Sequence, residues 1–394
     1  MSHPNISNQN PKTQASPLGF NKPHFTGSEI KYIQEAISNS KIGSNGAFTQ
    51  KCHQFFETKY GFRKVFLTPS CTDALEMCAL LINTKEGDEI IVPSYTFVST
   101  ANAFILQGAK IIFADSESNS PNIDVATIES LITPKTKAIV CVHYAGMACD
   151  MDALLNLCNK HQLYLIEDAA QAIDSFYKGK ALGSIGHLAA FSFHETKNIT
   201  CGEGGMLVVN DERLIPRAEI IREYGTNRSQ FLRGEIAQYG WMDKGSSNMP
   251  SELLAAFLFA QLECLTKIQS QRMIHWNQYK TLLKPLHNQG LIQLPEMSDS
   301  IKHNAHIFYI FCQDKSQRTA LINALKAANI NAVFHYNALH QSTYFKDKHD
   351  GRNLPNSDKY TDCLLRLPLY YDLTSNDVQR VALTITQFLY TNIS

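Results

Sequence analysis

Short runs of apolar, mostly β-branched or aromatic residues alternate with helical stretches along the first half of the chain. Several runs are apolar at every position, which is typical of strands covered on both faces. Because stretches such as TDALEMCALLINT and DMDALLNLCNKH separate them, the pattern predicts an α/β fold with a mostly parallel seven-stranded sheet. Ligands of such sheets bind where the loops after the strands gather. The predicted strands are residues 64–68, 89–93, 109–115, 138–144, 163–168, 189–193 and 206–210.

The pattern changes after about residue 250. The stretch from SELLAAFLFAQ to YKTLLKPL predicts one long helix, or two in succession, that connects a large domain to a smaller one. HIFYIFCQ and NAVFHY favour strands, RTALINALKAAN a helix between them, and DVQRVALTITQFLY a closing helix. We therefore expect a flexible tail over residues 1–20, a large domain over 21–265 and a small α+β domain over 266–394.

The charge balance excludes several classes of protein. The 394 residues contain 36 Lys and Arg against 36 Asp and Glu, and 44% are hydrophobic. A chain with no excess of cations is a poor candidate for binding nucleic acid or an anionic membrane surface. We see no apolar run near the roughly 20 residues that span a bilayer, and no apolar segment typical of a secretory signal near the N-terminus.

The ten cysteines are scattered, form no C-x-x-C motif and mostly lie in apolar segments such as LEMCALL. This distribution favours buried thiols in a reducing cytoplasm over a disulfide framework or a zinc site. We predict a cytoplasmic protein without a bound metal.

Two motifs place an acid and a lysine at the ends of neighbouring strands. LYLIEDAAQ ends its apolar run at Asp168, and Lys197 follows the run AAFSF, 29 residues later. Taken singly, Asp168 fits a helix N-cap and Lys197 a solvated loop. Together they are the pair that pyridoxal phosphate needs, a lysine that reacts as a free amine and an acid that keeps the pyridine nitrogen protonated.

Two further strand ends carry candidate cofactor contacts. In LTPSCTDALEM, the residues Ser70, Thr72 and Asp73 begin a helix, where hydroxyls and backbone N–H groups can hold a phosphate or merely cap the helix. In PSYTFVSTANAF, Phe97 is a candidate for stacking on a cofactor ring, with a core aromatic as the alternative.

These four motifs, in this order, resemble the DegT/DnrJ/StrS sugar aminotransferase family of fold-type-I pyridoxal phosphate enzymes. The resemblance runs from about residue 20 to the C-terminus and includes VHYAG at 142–146, HYNALH at 335–340 and LPLYYDLT at 367–374. It implies an aspartate-aminotransferase-like fold. FHETKN, YGTNRSQFLRG and KGSSNMPSELLAAF are most similar to enzymes that aminate C4 of dTDP-4-keto-6-deoxyglucose, with L-glutamate as donor, to give dTDP-4-amino-4,6-dideoxygalactose.

The resemblance implies a role for each cofactor residue. Lys197 is catalytic, since it bonds to pyridoxal phosphate and moves protons, with pyridoxamine phosphate as the intermediate form. Asp168 pairs with the pyridine nitrogen, Gln171 lies near the ring hydroxyl, and Phe97 stacks on the ring. The phosphate contacts are Thr72, Asp73 through its backbone, Ser192 and, from the second subunit of a homodimer, Ser247 or Asn248.

Four residues are candidates for substrate binding: Phe48, Arg228, His335 and Tyr336. Each of three has an open alternative: Phe48 as a core aromatic residue, Arg228 as an ordinary surface arginine and His335 as a residue that simply packs. Two other functions also stay open. One is amination at C3 of a dTDP-3-keto sugar, and the other is a non-catalytic sensor of a nucleotide sugar or cofactor, which the presence of both Lys197 and Asp168 disfavours.

Overall fold

The computed structural model describes residues 16–391, which form strands and helices in the order that the sequence pattern predicts. Strands β1 to β9 are Val65–Thr68, Glu89–Pro93, Lys110–Ala114, Thr136–Val142, Tyr164–Asp168, Phe176–Tyr177, Lys180–Ala181, Leu188–Ser192 and Gly205–Val209. Strands β10 to β13 are Ile301–Lys302, Phe308–Phe311, Val333–Phe334 and Leu364–Leu367.

Seven of these strands form one sheet in the order β1-β9-β8-β5-β4-β2-β3. Strand β9 runs antiparallel to both of its neighbours, and the other pairings are parallel. The predicted mostly parallel seven-stranded sheet is therefore confirmed. Strands β4, β5 and β8 are adjacent, so the loops that follow them open at one edge.

Both faces of this sheet are covered, which explains why its strands are apolar throughout. Ile90 and Ile166 belong to one hydrophobic cluster, whereas their neighbours Ile91 and Leu165 belong to a second cluster on the opposite face. Successive side chains of a strand point to opposite faces, so an unbroken apolar run serves both clusters.

Helices cover the sheet and continue into the second half of the chain. Helices α1 to α7 are Glu29–Ser38, Ala47–Tyr60, Cys71–Leu81, Ser99–Ile105, Val125–Ile128, Met151–His161 and Ile215–Arg222. Helices α8 to α13 are Arg228–Leu232, Glu252–Glu263, Leu265–Asn288, Lys315–Ala327, Pro355–Cys363 and Ser375–Thr391.

The second half builds a smaller sheet in the order β11-β13-β12, with all pairings antiparallel. The long helical stretch is two helices, α9 and α10, which meet at Cys264. A third hydrophobic cluster joins Trp276 of α10 to the small sheet and to Val381 of α13. The domain boundary at 265/266 lies next to this junction and stays a prediction.

The predicted flexible tail is shorter than expected. Leu18 is buried in the third hydrophobic cluster and pairs with Ile330, because its backbone N–H and C=O bond to Asn329 and Asn331. Residues 1–15 of that prediction lie outside the described residues. All ten cysteines are free thiols. Among the helices within residues 16–391, none has both the length and the hydrophobicity to cross a bilayer.

Candidate active site

A cleft of about 510 Å³ opens at the carboxyl ends of the central strands. Its walls come from both halves of the chain, because the loops after β1, β2, β5 and β8 face the small sheet. Its volume lies within the range of small-molecule sites. The residues that line it include Thr72, Phe97, Asp168, Gln171, Ser192, Lys197, His306, His335, Tyr336 and Arg366. Eight of the predicted site residues are thus brought together.

Asp168 ends strand β5 and points into the cleft. It is 5% exposed, and its carboxylate accepts hydrogen bonds from the Thr100 hydroxyl at 2.8 Å and the Ala170 N–H at 3.1 Å. Burial raises the pKa of this carboxyl, whereas the two hydrogen bonds and the charge of Lys197 oppose the shift. A buried carboxylate without a cation bonded to it is well suited to receive a positively charged ligand atom.

The neighbouring Glu167 serves the fold. Its carboxylate is fully buried and accepts hydrogen bonds from the Gly183, Ile185 and Gly186 N–H groups, and it bonds to His143 at 2.9 Å. Since successive residues of a strand point in opposite directions, one of these two acids faces the cleft and the other anchors the 183–186 loop.

Lys197 lies in the loop between β8 and β9 and reaches the same cleft. Burial lowers the pKa of its ammonium, the charge of Arg366 lowers it further, and Asp168 acts in the opposite direction. Within residues 16–391 its side chain has neither a hydrogen-bond nor an ion-pair partner. An unpartnered lysine with a lowered pKa is more often a free amine, the form that acts as nucleophile or base.

Three hydroxyls gather at the N-terminus of helix α3. Thr72 Oγ1 donates to Ser99 Oγ at 2.9 Å, and both residues line the cleft together with Ser192. The N-cap residue Ser70 bonds to the Asp73 N–H at 3.1 Å, so that N–H already has an internal partner. The hydroxyls and the positive end of the helix form a site that a phosphate can occupy without a basic side chain.

Gly205 begins strand β9 directly behind these three hydroxyls. A Cβ atom at this position would lie 2.3 Å from the carbonyl carbon and oxygen of Ser70. Only glycine therefore allows β9 to pass so close to the turn that begins helix α3. The GEGG sequence after Lys197 is therefore needed for the loop that carries Lys197 to lie next to the hydroxyls at the N-terminus of helix α3.

Gln171 links the cofactor side of the cleft to the small sheet. Its amide oxygen accepts from the Ala145 N–H at 2.7 Å, and its amide nitrogen donates to the Tyr336 hydroxyl at 3.1 Å. His335 lies next to Tyr336 and bonds through Nδ1 to the Tyr144 hydroxyl at 3.0 Å. Phe97 is 55% exposed at the cleft wall, and its ring centroid is 6.1 Å from that of Tyr336.

Two of the substrate candidates do not line the cleft. Phe48 lies in helix α2 and is fully buried against Tyr32 and Phe259, so the structure places it in the core, the alternative reading for an aromatic residue. Arg228 lies on the surface in helix α8 and pairs with Glu223 at 3.3 Å. Neither position supports a contact with a ligand in the cleft of the same chain.

Ser247 and Asn248 also lie away from the cleft of their own chain. Ser247 is exposed and donates to the Tyr224 hydroxyl at 3.3 Å, whereas Asn248 is buried and bonds through its N–H to the Arg222 carbonyl. Large apolar side chains of the same region face solvent: Leu232, Trp241 and Met242.

Residues that the motifs did not single out also shape the site: His306 and Arg366 line the cleft, and Thr100 lies beneath it and donates to Asp168. The sequence signal for Thr100 is its position shortly after the strand end PSYTF, where a helix begins. Arg366 interrupts the apolar run LLRLPL, and a lone charge inside a buried strand is a signal in itself. His306 has no comparable signal, because it begins an ordinary apolar run.

Pyridoxal phosphate fits this set of residues. Three features of the described part of the chain match its aldehyde, pyridine nitrogen and phosphate: a half-buried lysine without a partner among residues 16–391, a buried carboxylate to which no cation of these residues is bonded, and a group of hydroxyls at a helix N-terminus. The cleft places all three in one continuous volume.

Comparisons with known proteins agree with this chemistry. The family model described as "DegT/DnrJ/EryC1/StrS aminotransferase family" matches residues 23–386. The fold is similar to that of the aminotransferase TlmJ from Streptoalloteichus hindustanus, with 24% identity, a TM-score of 0.88 and coverage of 96% of this chain and 100% of that one.

Two further solved structures have the same fold. The aminotransferase from Psychrobacter cryohalolentis has 25% identity, a TM-score of 0.88 and coverage of 96% and 99% of the two chains. The protein Spr1654 from Streptococcus pneumoniae, solved in PMP and PLP forms, has 23% identity, a TM-score of 0.87 and coverage of 95% and 99%. The chain therefore belongs to the DegT/DnrJ/EryC1/StrS aminotransferase family and is a sugar aminotransferase whose cofactor is pyridoxal phosphate.

Proposed function

We propose that this enzyme transfers the amino group of L-glutamate to C4 of dTDP-4-keto-6-deoxy-D-glucose, giving dTDP-4-amino-4,6-dideoxy-D-galactose and 2-oxoglutarate. The observation that carries the amino-transfer chemistry is the unpartnered Lys197 in the same cleft as the buried Asp168. The choice of sugar rests on the segments FHETKN, YGTNRSQFLRG and KGSSNMPSELLAAF, which resemble C4 aminotransferases.

Lys197 is the proton carrier of both halves of this reaction. When bound, pyridoxal phosphate supplies an electron sink for the charge that develops at the amino-acid Cα. Lys197 removes the Cα proton of glutamate and later gives a proton to C4 of the sugar, and the face from which it approaches sets the configuration there. Burial favours this role, because it keeps a larger share of the amine unprotonated.

The other cleft residues would bind and orient the cofactor. Asp168 would pair with the pyridine nitrogen, Phe97 would cover the ring, and Gln171 would lie beside the ring hydroxyl. Thr72 and Ser192, with Ser99, would hold the cofactor phosphate at the N-terminus of helix α3. His335 and Tyr336 belong to the opposite wall, where the sugar would lie.

A homodimer is part of the proposal. Ser247 and Asn248 lie outside the cleft of their own chain, and Trp241 beside them is 83% exposed. Large exposed apolar side chains mark interaction surfaces, so this region is the candidate for reaching the neighbouring active site. Light scattering should give twice the chain mass, and W241E together with M242E should shift the enzyme towards the monomer and weaken cofactor binding.

The ten free thiols support a reducing compartment, and we propose the cytoplasm. Disulfides form in oxidising compartments and are rare in the cytosol, so ten unpaired cysteines fit the cytosol better.

The test of the proposed sugar compares two substrates. Holoenzyme and L-glutamate are incubated with dTDP-4-keto-6-deoxyglucose or with a dTDP-3-keto-6-deoxyhexose, and 2-oxoglutarate is measured. We expect kcat/KM to be much larger with the 4-keto sugar. A preference for the 3-keto sugar would move the reaction to C3. Binding of cofactor without turnover of either sugar would favour a sensor.

A lysine variant tests the chemistry separately from the sugar. K197A should fold, should lack the visible absorbance of a lysine-bound cofactor and should not turn over. K180A provides a control, because Lys180 is an exposed residue of strand β7.

A further inference from the structure

A second group of chemically active side chains lies at the end of strand β4, outside the cleft. Cys141 and His143 are two residues apart, so they point to the same face of the sheet, and Cys149 follows six residues later. All three residues are fully buried. One imidazole nitrogen and the two Sγ atoms lie within 4.8 Å of one another. The fold therefore brings two thiols and an imidazole together at one buried position.

The hydrogen bonds of His143 orient its ring as in a metal-binding histidine. Nε2 lies 2.9 Å from Oε2 of Glu167, a buried carboxylate that also accepts N–H groups of the 183–186 loop. Nδ1 accepts a hydrogen bond from the Cys149 backbone N–H at 3.3 Å. Nε2 is therefore the nitrogen that carries the proton, and Nδ1 has its lone pair towards Cys149. Metal-binding histidines usually donate to a carboxylate through one nitrogen and bind the ion through the other.

The two thiols form only weak bonds with the protein. The Cys149 thiol donates to the Val142 carbonyl oxygen at 3.2 Å. The Cys141 thiol lies 4.0 Å from Sδ of Met151, which is also fully buried. Because a thiol is a weak donor, an ion that replaces these protons displaces little. Sulfur and imidazole ligands select Zn²⁺ or Cu⁺ over hard ions such as Mg²⁺ and Ca²⁺.

We propose that Cys141, His143 and Cys149 bind a Zn²⁺ ion. Binding releases the two thiol protons to solvent, so that two thiolates and a neutral imidazole leave the site without net charge. Cu⁺ with the same ligands would leave one negative charge beside the Glu167 carboxylate, which a fully buried position disfavours. The expectation of no bound metal rested on spacing along the chain, and spacing does not show that Cys149 returns to β4.

A cavity separate from the cleft gives the ion a path to this site. The cavity has a volume of about 430 Å³, and Cys149 belongs to its wall together with the acidic residues Asp150 and Glu296. Acidic side chains around a cavity raise the local concentration of cations. Three protein ligands leave one position of a tetrahedral Zn²⁺ ion for water, which can enter from this side.

The role of the ion is structural. Residues 143–149 connect β4 to helix α6, and this turn also contributes to the cleft wall. It provides the Tyr144 hydroxyl that bonds to His335 and the Ala145 N–H that bonds to Gln171. An ion that ties the two ends of this turn together stabilises the folded chain, because the unfolded chain has no preformed site.

A zinc titration tests the proposal. Chelator-treated, reduced holoenzyme is titrated with Zn²⁺ in competition with a chromophoric chelator. We expect one Zn²⁺ per chain with a Kd of about 1 μM or lower. In C141S and C149S we expect at least about 100-fold weaker binding, since the loss of an outer partner alone costs about 10- to 100-fold.

C78S is the matched control for these variants. Cys78 is equally buried, but it belongs to the hydrophobic cluster on the opposite face of the sheet. C78S should therefore bind Zn²⁺ as the unaltered enzyme does. Added Zn²⁺ should raise the thermal midpoint of the unaltered enzyme and of C78S, and should leave that of C141S unchanged.

X-ray absorption at the zinc edge identifies the ligands without any substitution, so it is informative even if a serine variant does not fold. In the unaltered holoenzyme with one equivalent of Zn²⁺, we expect two sulfur neighbours at about 2.3 Å and nitrogen or oxygen neighbours at about 2.0–2.1 Å.

Three results would overturn the proposal. The first is that no Zn²⁺ binds at micromolar concentration, and the second is a bound ion with only nitrogen and oxygen neighbours, which would place it elsewhere, such as in the cleft. The third is that C149S binds Zn²⁺ as tightly as C78S. None of these measurements requires turnover, so the outcome does not depend on which sugar the enzyme aminates.

Discussion

The hydroxyl of Thr100 donates a hydrogen bond of 2.8 Å to the carboxylate of Asp168, and both residues are buried below the cleft. Thr100 Oγ1 also lies 2.9 Å from Thr96 Oγ1, so a short chain of hydroxyls fixes the acid. This bond opposes the rise in the pKa of Asp168 that burial causes. Thr100 therefore favours the ionised form of Asp168 and fixes the orientation of its carboxylate.

Replacing Thr100 by valine removes this bond at almost constant volume. In T100V we expect the pKa of Asp168 to rise further, and the affinity for pyridoxal phosphate to fall about tenfold, as for one lost hydrogen bond to a charged group. A titration of the apoenzyme followed by absorbance measures the affinity. T96V is the milder comparison, because Thr96 reaches Asp168 only through Thr100. Unchanged affinity in T100V would show that the bond has no role in cofactor binding.

Gly205→Ala tests the close approach between β9 and the turn at Ser70. The added Cβ would lie 2.3 Å from the Ser70 carbonyl, so the turn that begins helix α3 must move. We expect loss of most of the cofactor affinity, with a lower thermal midpoint. G240A is the matched control, because a Cβ at Gly240 meets nothing within 4 Å. If G205A binds the cofactor as well as G240A does, the close approach is not needed.

Glu252 is a buried carboxylate that joins helices α2 and α9. It accepts hydrogen bonds from the N–H groups of Gly46, Phe48 and Thr49 and from the Thr49 hydroxyl. In E252A these donors lose their acceptor, and we expect the free energy of unfolding to fall by about 2–4 kcal/mol. Urea unfolding measures this.

The control for this variant is on the same helix. Glu263 is exposed, and among residues 16–391 its side chain accepts only from the Tyr32 hydroxyl, so E263A should cost less than about 1 kcal/mol. Equal losses in the two variants would contradict the role assigned to Glu252.

His53 makes stability depend on pH on the acid side. Burial lowers its pKa to about 3, with a smaller contribution from Arg222, and its Nε2 accepts a hydrogen bond from the Leu67 N–H. Between about pH 3 and its unfolded pKa of about 6.5, the unfolded state binds more protons, so stability falls as pH falls through this range. The expected slope is about 1.4 kcal/mol per pH unit for this histidine.

His53→Gln keeps an acceptor for Leu67 and removes the titration. The unfolding free energy of H53Q, measured from pH 7 to pH 4, should therefore vary less with pH than that of the unaltered enzyme. Parallel curves for the two proteins would show that His53 does not cause the dependence.

Features set by local pattern could be predicted from the sequence. The seven strands are apolar because both faces are buried. Asp168 ends one of these strands and Lys197 lies in the loop after another, so their meeting at one sheet edge follows from topology. The resemblance in motif order then named the cofactor. Ile90 and Ile91, for example, are buried on opposite faces of the sheet, so the strand is apolar at both positions and stands out in the sequence.

Features set by distant pairing could not be predicted. Phe48 and Phe97 are both aromatic residues near helix starts, yet one is buried in the core and the other faces the cleft, which depends on where α9 and the small sheet lie. Strand β13 reaches the cleft through its pairing with β11 and β12, so the placement of Arg366 is a tertiary property. The tail prediction failed at Leu18 for the same reason.

The central claim is amino transfer from glutamate to C4 of the sugar. Its most direct test is a reaction of the holoenzyme with nitrogen-labelled L-glutamate and dTDP-4-keto-6-deoxyglucose, with the product analysed by NMR. The account predicts the label on C4 in the galacto configuration, with 2-oxoglutarate formed in equal amount. Label on C3, the gluco configuration at C4, or no label in the sugar would contradict it.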